Sequence, residues 1–391
     1  MKYKLASSSW DDKEISAIHR VISSDRFTMG SEVSNYEKKF SEYVGSKYSV
    51  MVSSGSTANL LMIAAMFFTK DEDRKLEHGD EIIVPAVSWS TTYFPLQQYG
   101  LKVKFVDICK DTLNINIKKL EAAITNKTKA ILAVNLLGNP NDFDAIKKII
   151  EKKNIILLED NCESLGATLN SKQAGTFGLM GTFSSFFSHH ISTMEGGVVV
   201  TDDEELYHIL LAIRAHGWTR NLPKENKVTG IKSDDPFKES FKFVLPGYNV
   251  RPLEMSGAIG IEQLLKLPKF IETRRENAVI FSDLFYDHPF IDIQKETGKS
   301  SWFGFTLVLN ENSPINQEEL VDLMTKNAIE CRPIVTGNFV KNTEVLKYFN
   351  FEIHEKLINA DYIDKNGIFV GNHHVDIRAE LEHLNKVISA I

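Results

Sequence analysis

The sequence predicts an α/β protein with a mostly parallel central sheet and a smaller α+β domain towards its C-terminus. Apolar, β-branched runs of strand length recur along residues 48–202, and helical patterns separate several of them. These runs are continuously apolar, which is typical of strands that are covered on both faces of a parallel sheet. Residues 288–391 mix short strands with helices, which favours a separate, smaller unit.

The first part of the chain predicts two helices and then a regular alternation. Asp11 is a candidate N-cap with Glu14 three residues later, and residues 15–22 place apolar side chains at helical spacing. A second helical pattern ends before Gly45. Predicted strands follow at 48–54, 81–86, 102–108, 129–138, 155–160, 181–187 and 196–202, with helices at 56–68, 142–153 and 204–217.

The second part of the chain predicts a loop, a long helix and a small domain. Residues 220–240 are polar and contain Gly and Pro, which indicates a surface loop or hairpin. Residues 254–287 are almost entirely helical in pattern. We therefore predict a large α/β domain over 1–265, which includes the N-terminal helices. A linking helix and a small α+β domain are predicted over 266–391.

The composition excludes several classes of protein. The formal net charge of −7 argues against a protein that coats nucleic acid, which would carry a basic excess. No apolar run approaches the ~20 residues that cross a bilayer, and the N-terminus has no signal-peptide core. We expect a cytoplasmic protein that binds neither membrane nor nucleic acid. Its three scattered cysteines give no disulfide framework and no metal spacing, so no metal is expected.

Chemistry-bearing residues follow several of the predicted strands. Ligands of such sheets collect at the carboxyl ends of the strands. Gly55, Ser56 and Thr57 open a helix there and could bind an anion, although an ordinary N-cap explains them better when they are taken alone. Trp89 follows the next strand, where it could stack on a flat ring or pack in a core.

A carboxylate and a histidine follow two further strands. Asp160 ends a buried strand, so it needs a protonated ring nitrogen, a basic side chain or local N–H groups as a partner. His189 follows the strand at 181–187 and is either a base or a satisfied polar residue. An anion cradle, a flat side chain, a carboxylate and a base are together what pyridoxal phosphate (PLP) requires. The sequence therefore predicts a PLP site at this edge of the sheet.

Five motifs extend this prediction over nearly the whole chain, which resembles the PLP-dependent sugar aminotransferases of the DegT type. They are SSGSTAN (53–59), IVPAVSW (83–89), LEDNCESLGA (158–167), GTFSSFFSHHISTMEGG (181–197) and GYNVRPLEMSGAIGIEQL (247–264). The resemblance implies fold type I and a homodimer with shared active sites. It assigns phosphate contacts to residues 55–57 and to Ser184, ring stacking to Trp89 and the ring-nitrogen partner to Asp160. It places Glu163, where the family usually has Gln, on the ring hydroxyl, and Asn249 on the phosphate of the neighbouring subunit.

The lysine that binds the cofactor covalently in this family is missing. Counted back from Glu195-Gly196-Gly197, it should stand at position 189, where the chain has His189. Imidazole cannot form a Schiff base as a primary amine does, so PLP or its amine form, PMP, is expected to bind non-covalently. His189 would act as the single catalytic base.

This replacement implies membership of a small branch of the family, the 3-dehydratases of nucleotide-linked 4-keto-sugars. One kind of branch member needs an iron–sulfur cluster with grouped cysteines, which this chain lacks. The chain resembles the other kind, which acts on a GDP-linked keto sugar and uses L-glutamate as cosubstrate. Two other functions stay open: a sugar aminotransferase that uses another lysine, Lys172 or Lys224, and a non-catalytic protein that binds PLP or a nucleotide-sugar.

Four further residues are candidates for binding the sugar and glutamate. They are Ser188, His216, Arg251 and Arg332. An arginine can hold a carboxylate through two hydrogen bonds, although a surface or interdomain ion pair would explain either arginine as well. Ser188 would orient His189 or donate to the leaving hydroxyl. His190 is expected to be structural.

Overall fold

The computed structural model describes residues 2–391. Its helices are α1 (Asp12–Ser24), α2 (Ser31–Val44), α3 (Gly55–Phe68), α4 (Ser90–Gln98), α5 (Ile117–Ala123), α6 (Phe143–Ile150), α7 (Glu204–Ile213), α8 (Pro236–Ser240), α9 (Glu254–Phe285), α10 (Gln317–Lys326), α11 (Thr343–Leu346), α12 (Ile358–Asn366) and α13 (Arg378–Ile388). Its strands are β1 (Tyr48–Val52), β2 (Glu81–Pro85), β3 (Lys102–Val106), β4 (Thr128–Val134), β5 (Ile156–Asp160), β6 (Thr168–Leu169), β7 (Lys172–Gln173), β8 (Met180–Ser184), β9 (Gly197–Thr201), β10 (Glu225–Asn226), β11 (Gly230–Ile231), β12 (Ile291–Asp292), β13 (Gly304–Leu309), β14 (Cys331–Arg332), β15 (Asn350–Ile353) and β16 (Gly367–Gly371).

The central sheet has eight strands in the order β1-β9-β8-β5-β4-β2-β3-β15. β9 runs antiparallel to both of its neighbours, and every other pair in the sheet is parallel. The predicted mostly parallel α/β architecture is confirmed. β9 is the one antiparallel strand because residues 185–196, which join it to β8, contain no crossover helix and return the chain at the same edge of the sheet.

Helices cover both faces of this sheet. One face packs on α3, α4 and α7, and the other packs on α2, α5, α6 and part of α9. Strands β2, β5, β8 and β9 are buried along their whole length, which explains the apolar runs in the middle of β2, β5 and β9. α3 is buried on most of its sides, so its apolar residues do not follow a single stripe.

A second core belongs to the C-terminal part of the chain. The antiparallel sheet β12-β13-β16-β14 packs there with α10, α13 and the last turns of α9. α9, with 32 residues, joins the two cores. Neither α9 nor any other helix within residues 2–391 combines bilayer-spanning length with sufficient apolar character.

Two features cross the predicted domain boundary at 265/266. The boundary lies inside α9, and β15, from the C-terminal part, pairs in parallel with β3 at the edge of the large sheet. Lys102 and Lys104 of β3 form ion pairs with Glu352 of β15, which fixes this edge. The division into two domains at this position stays a prediction.

Several predicted elements end earlier than their apolar patterns. The strand expected over 129–138 stops at Val134, and a 3₁₀ turn follows in which Leu137 has a left-handed φ of 54°. The strand expected over 181–187 stops at Ser184. At both places the backbone leaves its strand and turns, at the edge of the sheet where the cavity described below lies. The segment 220–240 forms the predicted hairpin, β10–β11, followed by α8.

Candidate active site

A cavity of about 290 Å³ opens at the carboxyl edge of the large sheet. Segments that follow β1, β2, β5 and β8 supply most of its wall, and the C-terminal part of the chain adds Phe303, Arg332 and Val335. Nine of the residues that the sequence singled out line it: Gly55, Ser56, Trp89, Asp160, Glu163, Ser184, Ser188, His189 and Arg332. The structure therefore brings most of the candidate site together, and the predicted edge of the sheet is where it lies.

The N-terminus of α3 forms one end of the cavity. Ser54 caps the helix by accepting a hydrogen bond from the Thr57 amide at 3.1 Å, and the Thr57 hydroxyl accepts from the Ser54 amide at 3.0 Å. Thr57 therefore fixes the start of the helix and does not line the cavity. The first amides of a helix have no partner within it, so they can bind an anion together with the Ser56 and Ser184 hydroxyls. A Cβ atom at Gly55 would lie 2.6 Å from the Ser184 Cβ, which explains the glycine.

Asp160 lies at the end of β5, buried, with its carboxylate at the cavity wall. Its Oδ2 accepts hydrogen bonds from Asn59 Nδ2 at 2.8 Å and from Thr92 Oγ1 at 2.7 Å. Its Oδ1 accepts from the Cys162 amide at 3.1 Å. Three neutral donors hold the carboxylate without neutralising it, so its negative charge remains available to a cationic ring nitrogen.

Asn59 and Thr92 were not identified from the sequence. Each is buried and polar within a helix that otherwise packs on the apolar core, and each donates to Asp160. A buried polar residue needs a partner, so these two residues could have been found as polar exceptions on α3 and α4.

Trp89 immediately precedes α4 and stands at the rim of the cavity. Its side chain is 54% exposed, which is unusual for a tryptophan. An exposed indole presents a flat apolar face on which an aromatic ligand can stack.

His189 stands at the cavity wall with one ring nitrogen fixed. Its Nδ1 lies 2.8 Å from the Cys162 carbonyl oxygen. A carbonyl only accepts, so Nδ1 carries the proton, and Nε2 of the neutral ring is a free acceptor. Phe303 and Phe186 flank the ring, with centroid distances of 5.0 and 6.1 Å. Burial lowers the pKa of His189 to about 4, so the imidazole is neutral near pH 7.

Glu163 is the second titratable group at the site. Its Oε2 accepts a hydrogen bond from the Leu137 amide at 3.1 Å. Burial raises the pKa of its carboxyl to about 7, although this hydrogen bond and the charge of Arg332 act in the opposite direction. The carboxyl is therefore partly protonated near neutral pH and can act as a donor or an acceptor.

No lysine lines this cavity among residues 2–391. Lys172 lies on β7, exposed, above the ring of Phe177. Lys224 is also exposed and forms an ion pair with Asp234. Neither lysine is placed to bind an aldehyde in the cavity, so a covalent cofactor link to either has no support in the structure.

Three other candidates lie together outside the cavity. The Arg251 Nε donates to the Asn249 Oδ1 at 3.0 Å, and the His216 amide donates to the Tyr248 carbonyl at 2.6 Å. The His216 ring lies 4.8 Å from that of Trp218. Asn249, Arg251 and His216 therefore form an outer cluster, and their assigned contacts with cofactor and substrate stay predictions.

Sequence comparison identifies both a family and similar enzymes. The model of the DegT/DnrJ/EryC1/StrS aminotransferase family matches residues 8–391. GDP-4-keto-6-deoxy-D-mannose 3-dehydratase of Yersinia pseudotuberculosis is 71% identical over 99% of this chain and 98% of its own. The enzyme of the same name from Escherichia coli O55:H7 is 67% identical over 99% of this chain and 100% of its own.

Solved structures agree with these relatives. The E. coli GDP-4-keto-6-deoxy-D-mannose-3-dehydratase with bound hydrated PLP is 67% identical, covers 99% of each chain and has a TM-score of 0.97. A structure of a GDP-4-keto-6-deoxymannose-3-dehydratase with a trapped PLP-glutamate geminal diamine also has a TM-score of 0.97 and 67% identity, over 99% of this chain and 100% of its own. A histidine-to-asparagine variant with bound GDP-perosamine has a TM-score of 0.98 and the same identity and coverage.

Proposed function

Because the chain belongs to the DegT/DnrJ/EryC1/StrS aminotransferase family, we propose that it uses the family's cofactor for a dehydration. It catalyses the 3-dehydration of GDP-4-keto-6-deoxy-D-mannose, with PLP and PMP as cofactor and glutamate as cosubstrate. The product is GDP-4-keto-3,6-dideoxy-D-mannose, and ammonia is released. Over the cycle the sugar loses one oxygen atom, glutamate supplies two electrons as it becomes 2-oxoglutarate, and its nitrogen leaves as ammonia.

The proposal depends on one observation: the cavity wall has a histidine that can act as a base, His189, but no lysine amine that could bond to the cofactor. His189 presents a free Nε2 at the cavity wall, and no lysine within residues 2–391 lines that wall. The cavity nevertheless retains the anion site at α3, the hydrogen-bonded carboxylate of Asp160 and the exposed indole of Trp89. A non-catalytic binding protein would not need a carboxylate that keeps a ring cationic. An aminotransferase would need an amine at this wall.

The residues present fit the cofactor. The first amides of α3 with Ser56 and Ser184 would hold its phosphate, and Asp160 would pair with its ring nitrogen. Trp89 would cover one face of the ring, and Glu163 would contact the ring hydroxyl. When bound, PLP supplies an electron-accepting ring, and PMP supplies the amine that condenses with the keto group.

His189 moves protons through Nε2. The Cys162 carbonyl holds Nδ1–H, which fixes both the tautomer and the direction in which Nε2 points. Because burial lowers the pKa of this ring, Nε2 is free to accept a proton at neutral pH. The same burial makes the protonated ring unstable, so the proton is passed on quickly rather than retained.

The absence of a lysine at the cavity wall favours the reaction of glutamate with the cofactor's aldehyde. A lysine amine at position 189 would compete with the glutamate amine for the cofactor's aldehyde. His189 leaves that aldehyde open, which suits an enzyme whose cofactor must be re-aminated in every cycle. Ser188, which lines the cavity beside it, would orient the imidazole or donate to the hydroxyl that leaves.

The activity is tested with purified protein, PLP, glutamate and a GDP-linked or a CDP-linked 4-keto-6-deoxy sugar. We expect the aldehyde absorbance of PLP to give way to that of PMP, and ammonia and a 3-deoxy sugar to form with the GDP-linked substrate. An amino sugar without ammonia would instead support an aminotransferase. An unchanged cofactor spectrum with glutamate would support a binding protein.

The active sites are shared between two copies of the chain in this proposal. The outer cluster of Asn249, Arg251 and His216 does not reach the chain's own cavity, although Asn249 belongs to a motif that resembles a phosphate-contacting one. Large apolar side chains stand exposed beside the cavity: Trp89, Phe186, Phe187 and Met194. A second copy would cover such a rim. Light scattering should therefore give a dimeric mass.

Mixed variants test the sharing of sites directly. His189→Asn and Asn249→Ala should each be inactive alone. After subunit exchange, half of the dimers are mixed and each mixed dimer has one intact site, so about a quarter of the normal activity should return. No recovery would contradict a shared site.

The cytoplasmic location stays a prediction, which cell fractionation can check.

A further inference from the structure

A buried arginine lies behind the cavity wall. Arg274, on α9, is 5% exposed. Its Nη1 donates to the carbonyls of Asn372, Phe303 and Trp302 at 2.8, 3.1 and 3.4 Å. No carboxylate within residues 2–391 forms an ion pair with it. A buried cation without a counter-ion is unfavourable. Arg274 therefore depends on its hydrogen bonds to these carbonyls, which in turn fix the backbone that carries them.

The segment that Arg274 holds, residues 300–303, is also fixed from its other side. The Ser301 amide donates to the Gly138 carbonyl at 2.8 Å, and the Phe303 amide donates to the Leu137 carbonyl at 3.1 Å. Between them, Trp302 has a φ of 48°, a left-handed conformation that large side chains rarely adopt. Such a conformation persists only where its surroundings over-determine it. On the carbonyl side, Asn372 Nδ2 donates to the Trp302 carbonyl at 2.9 Å, and Arg274 restrains both this carbonyl and that of Phe303.

The side chain at the end of this segment covers the proposed base. The Phe303 ring is buried and lies 5.0 Å from the His189 ring and 5.7 Å from the His190 ring, measured between centroids. His190 Nε2 also donates to the Ser301 carbonyl at 3.1 Å. The position of residues 300–303 therefore determines how far water can approach His189.

We propose that Arg274 is a positioning residue for His189, because it fixes the Trp302–Phe303 backbone so that Phe303 covers the imidazole. This inference rests on the proposed role of His189 as the base. Its readout is the titration of the imidazole, which does not require turnover. A failure of the dehydration itself would appear as absent ammonia, whatever the titration shows.

The charges around His189 come from several elements. Arg274 on α9 and Arg332 on β14 disfavour a protonated ring, whereas Asp160 on β5 favours it. The other titratable groups at this wall are Cys162, Glu163, His190 and Glu195. Burial has the largest effect on the pKa of His189, so removal of the Phe303 cover should raise that pKa even when every charge is retained.

The test separates position from charge. Arg274→Lys keeps the positive charge but cannot bond all three carbonyls in the same geometry. Arg274→Met removes both the charge and the hydrogen bonds, and Phe303→Leu removes only the aromatic ring. The His189 imidazole is titrated by NMR in the full chain with labelled histidine, and His189→Asn identifies its signal. We expect all three variants to raise the pKa from about 4 towards the ordinary 6.5, by about one unit or more.

Kinetics and a matched control complete the test. kcat should fall about tenfold to a hundredfold in each variant. KM for the GDP-sugar should stay nearly unchanged in the two Arg274 variants, because Arg274 does not line the cavity, whereas Phe303 does. Lys269→Met removes an exposed cation from the same helix and should alter neither quantity. If Arg274→Met does not fold, the other two variants decide. An unshifted titration in Arg274→Lys and Phe303→Leu would overturn the proposal, as would a shift confined to Arg274→Met.

Discussion

His189 and His190 are neighbours in the chain, yet only His189 faces the cavity. The Nδ1 of His189 is fixed by the Cys162 carbonyl, whereas His190 points into the core and donates to the Ser301 carbonyl. Burial lowers the pKa of both rings. At the scale of single residues, access to the cavity thus distinguishes His189, for which we propose a chemical role, from His190, whose contacts are those of a structural residue.

The first prediction concerns His189. In His189→Asn the amide retains hydrogen-bonding capacity but cannot act as a base, so both half-reactions should slow by about a thousandfold while the cofactor still binds. Stopped-flow absorbance with glutamate, and ammonia release with the sugar, measure the two halves. Turnover at the parent rate would remove the assigned role.

His189→Lys provides the opposite change. A primary amine at this wall should bond to the aldehyde of PLP, so borohydride should fix the cofactor to residue 189, and deoxygenation should stall. The parent protein treated in the same way should carry no tag on residue 189. Normal dehydration by the lysine variant would contradict the account given for the missing amine.

The second prediction concerns Glu163. Its folded pKa of about 7 exceeds its ordinary value of 4.5, so folding takes up a proton between these pH values. The stability that this carboxyl contributes is therefore present below pH 4.5 and is lost as the pH rises through about 7. Between about pH 5 and 8, melting temperature should fall less in Glu163→Gln than in the parent. Parallel melting curves would show that the carboxyl is ionised throughout.

At the scale of elements, a cluster of charged side chains around the buried Lys104 holds β3 and β15 together. Lys104 Nζ lies 2.9 Å from Glu81 Oε1 and 3.4 Å from Glu352 Oε1, and Lys104 and Glu81 are almost completely buried. Lys104 also donates to the Ala123 carbonyl at 3.2 Å. The lysine thus joins β2, β3, β15 and the end of α5 at the edge of the sheet remote from the cavity.

The third prediction follows from this arrangement. Lys104→Met leaves Lys102 as the only cation beside Glu81, which also keeps its hydrogen bond from Thr128, so the free energy of unfolding should decrease by about 3 kcal/mol. Urea denaturation measures the change, and cofactor affinity should stay the same. Lys119→Met removes an exposed lysine that pairs with Glu355 and serves as the control, with an expected change below about 1 kcal/mol. Equal effects of the two changes would contradict the role of the buried group.

The scale of elements also shows where prediction from the sequence succeeds. Continuous apolar runs identified β2, β5 and β9 because both faces of each strand are covered. The same patterns overran the ends of β4 and β8, since apolar residues such as Leu137 and Phe186 continue past the last ladder hydrogen bond. β15 was not predicted, because three of its four residues, NFEI, are exposed and the strand pairs only at one edge.

At the scale of the whole molecule, most residues that belong to motifs could be placed from the sequence, although Thr57 and Asn249 lie outside the cavity, whereas those from the C-terminal part could not be placed. Asp160, Trp89 and His189 follow strands in sequence order, so the sheet brings them together. Phe303 reaches the same wall only through the packing of the small sheet on the large one, which leaves no local pattern. Arg332 was identified by its chemistry alone, and the structure places it in the cavity wall.

The fourth prediction concerns the whole chain. A fragment of residues 1–265 lacks β15 and cuts α9 inside its path, so it should not form an independently stable domain. Circular dichroism and urea denaturation should show a broad transition of low cooperativity in place of a single sharp one. A cooperative transition at the parent midpoint would mean that the large core is self-sufficient.

The edge strand β15 has a consequence for biosynthesis. The ribosome delivers β3 some 250 residues before its outer neighbour, so the nascent sheet must wait with an open flank until residue 353 has emerged from the exit tunnel. During that interval the flank can recruit other extended chains. Slower translation downstream of residue 265 would lengthen the exposure, and a chaperone that shields β-edges would be needed most in that window.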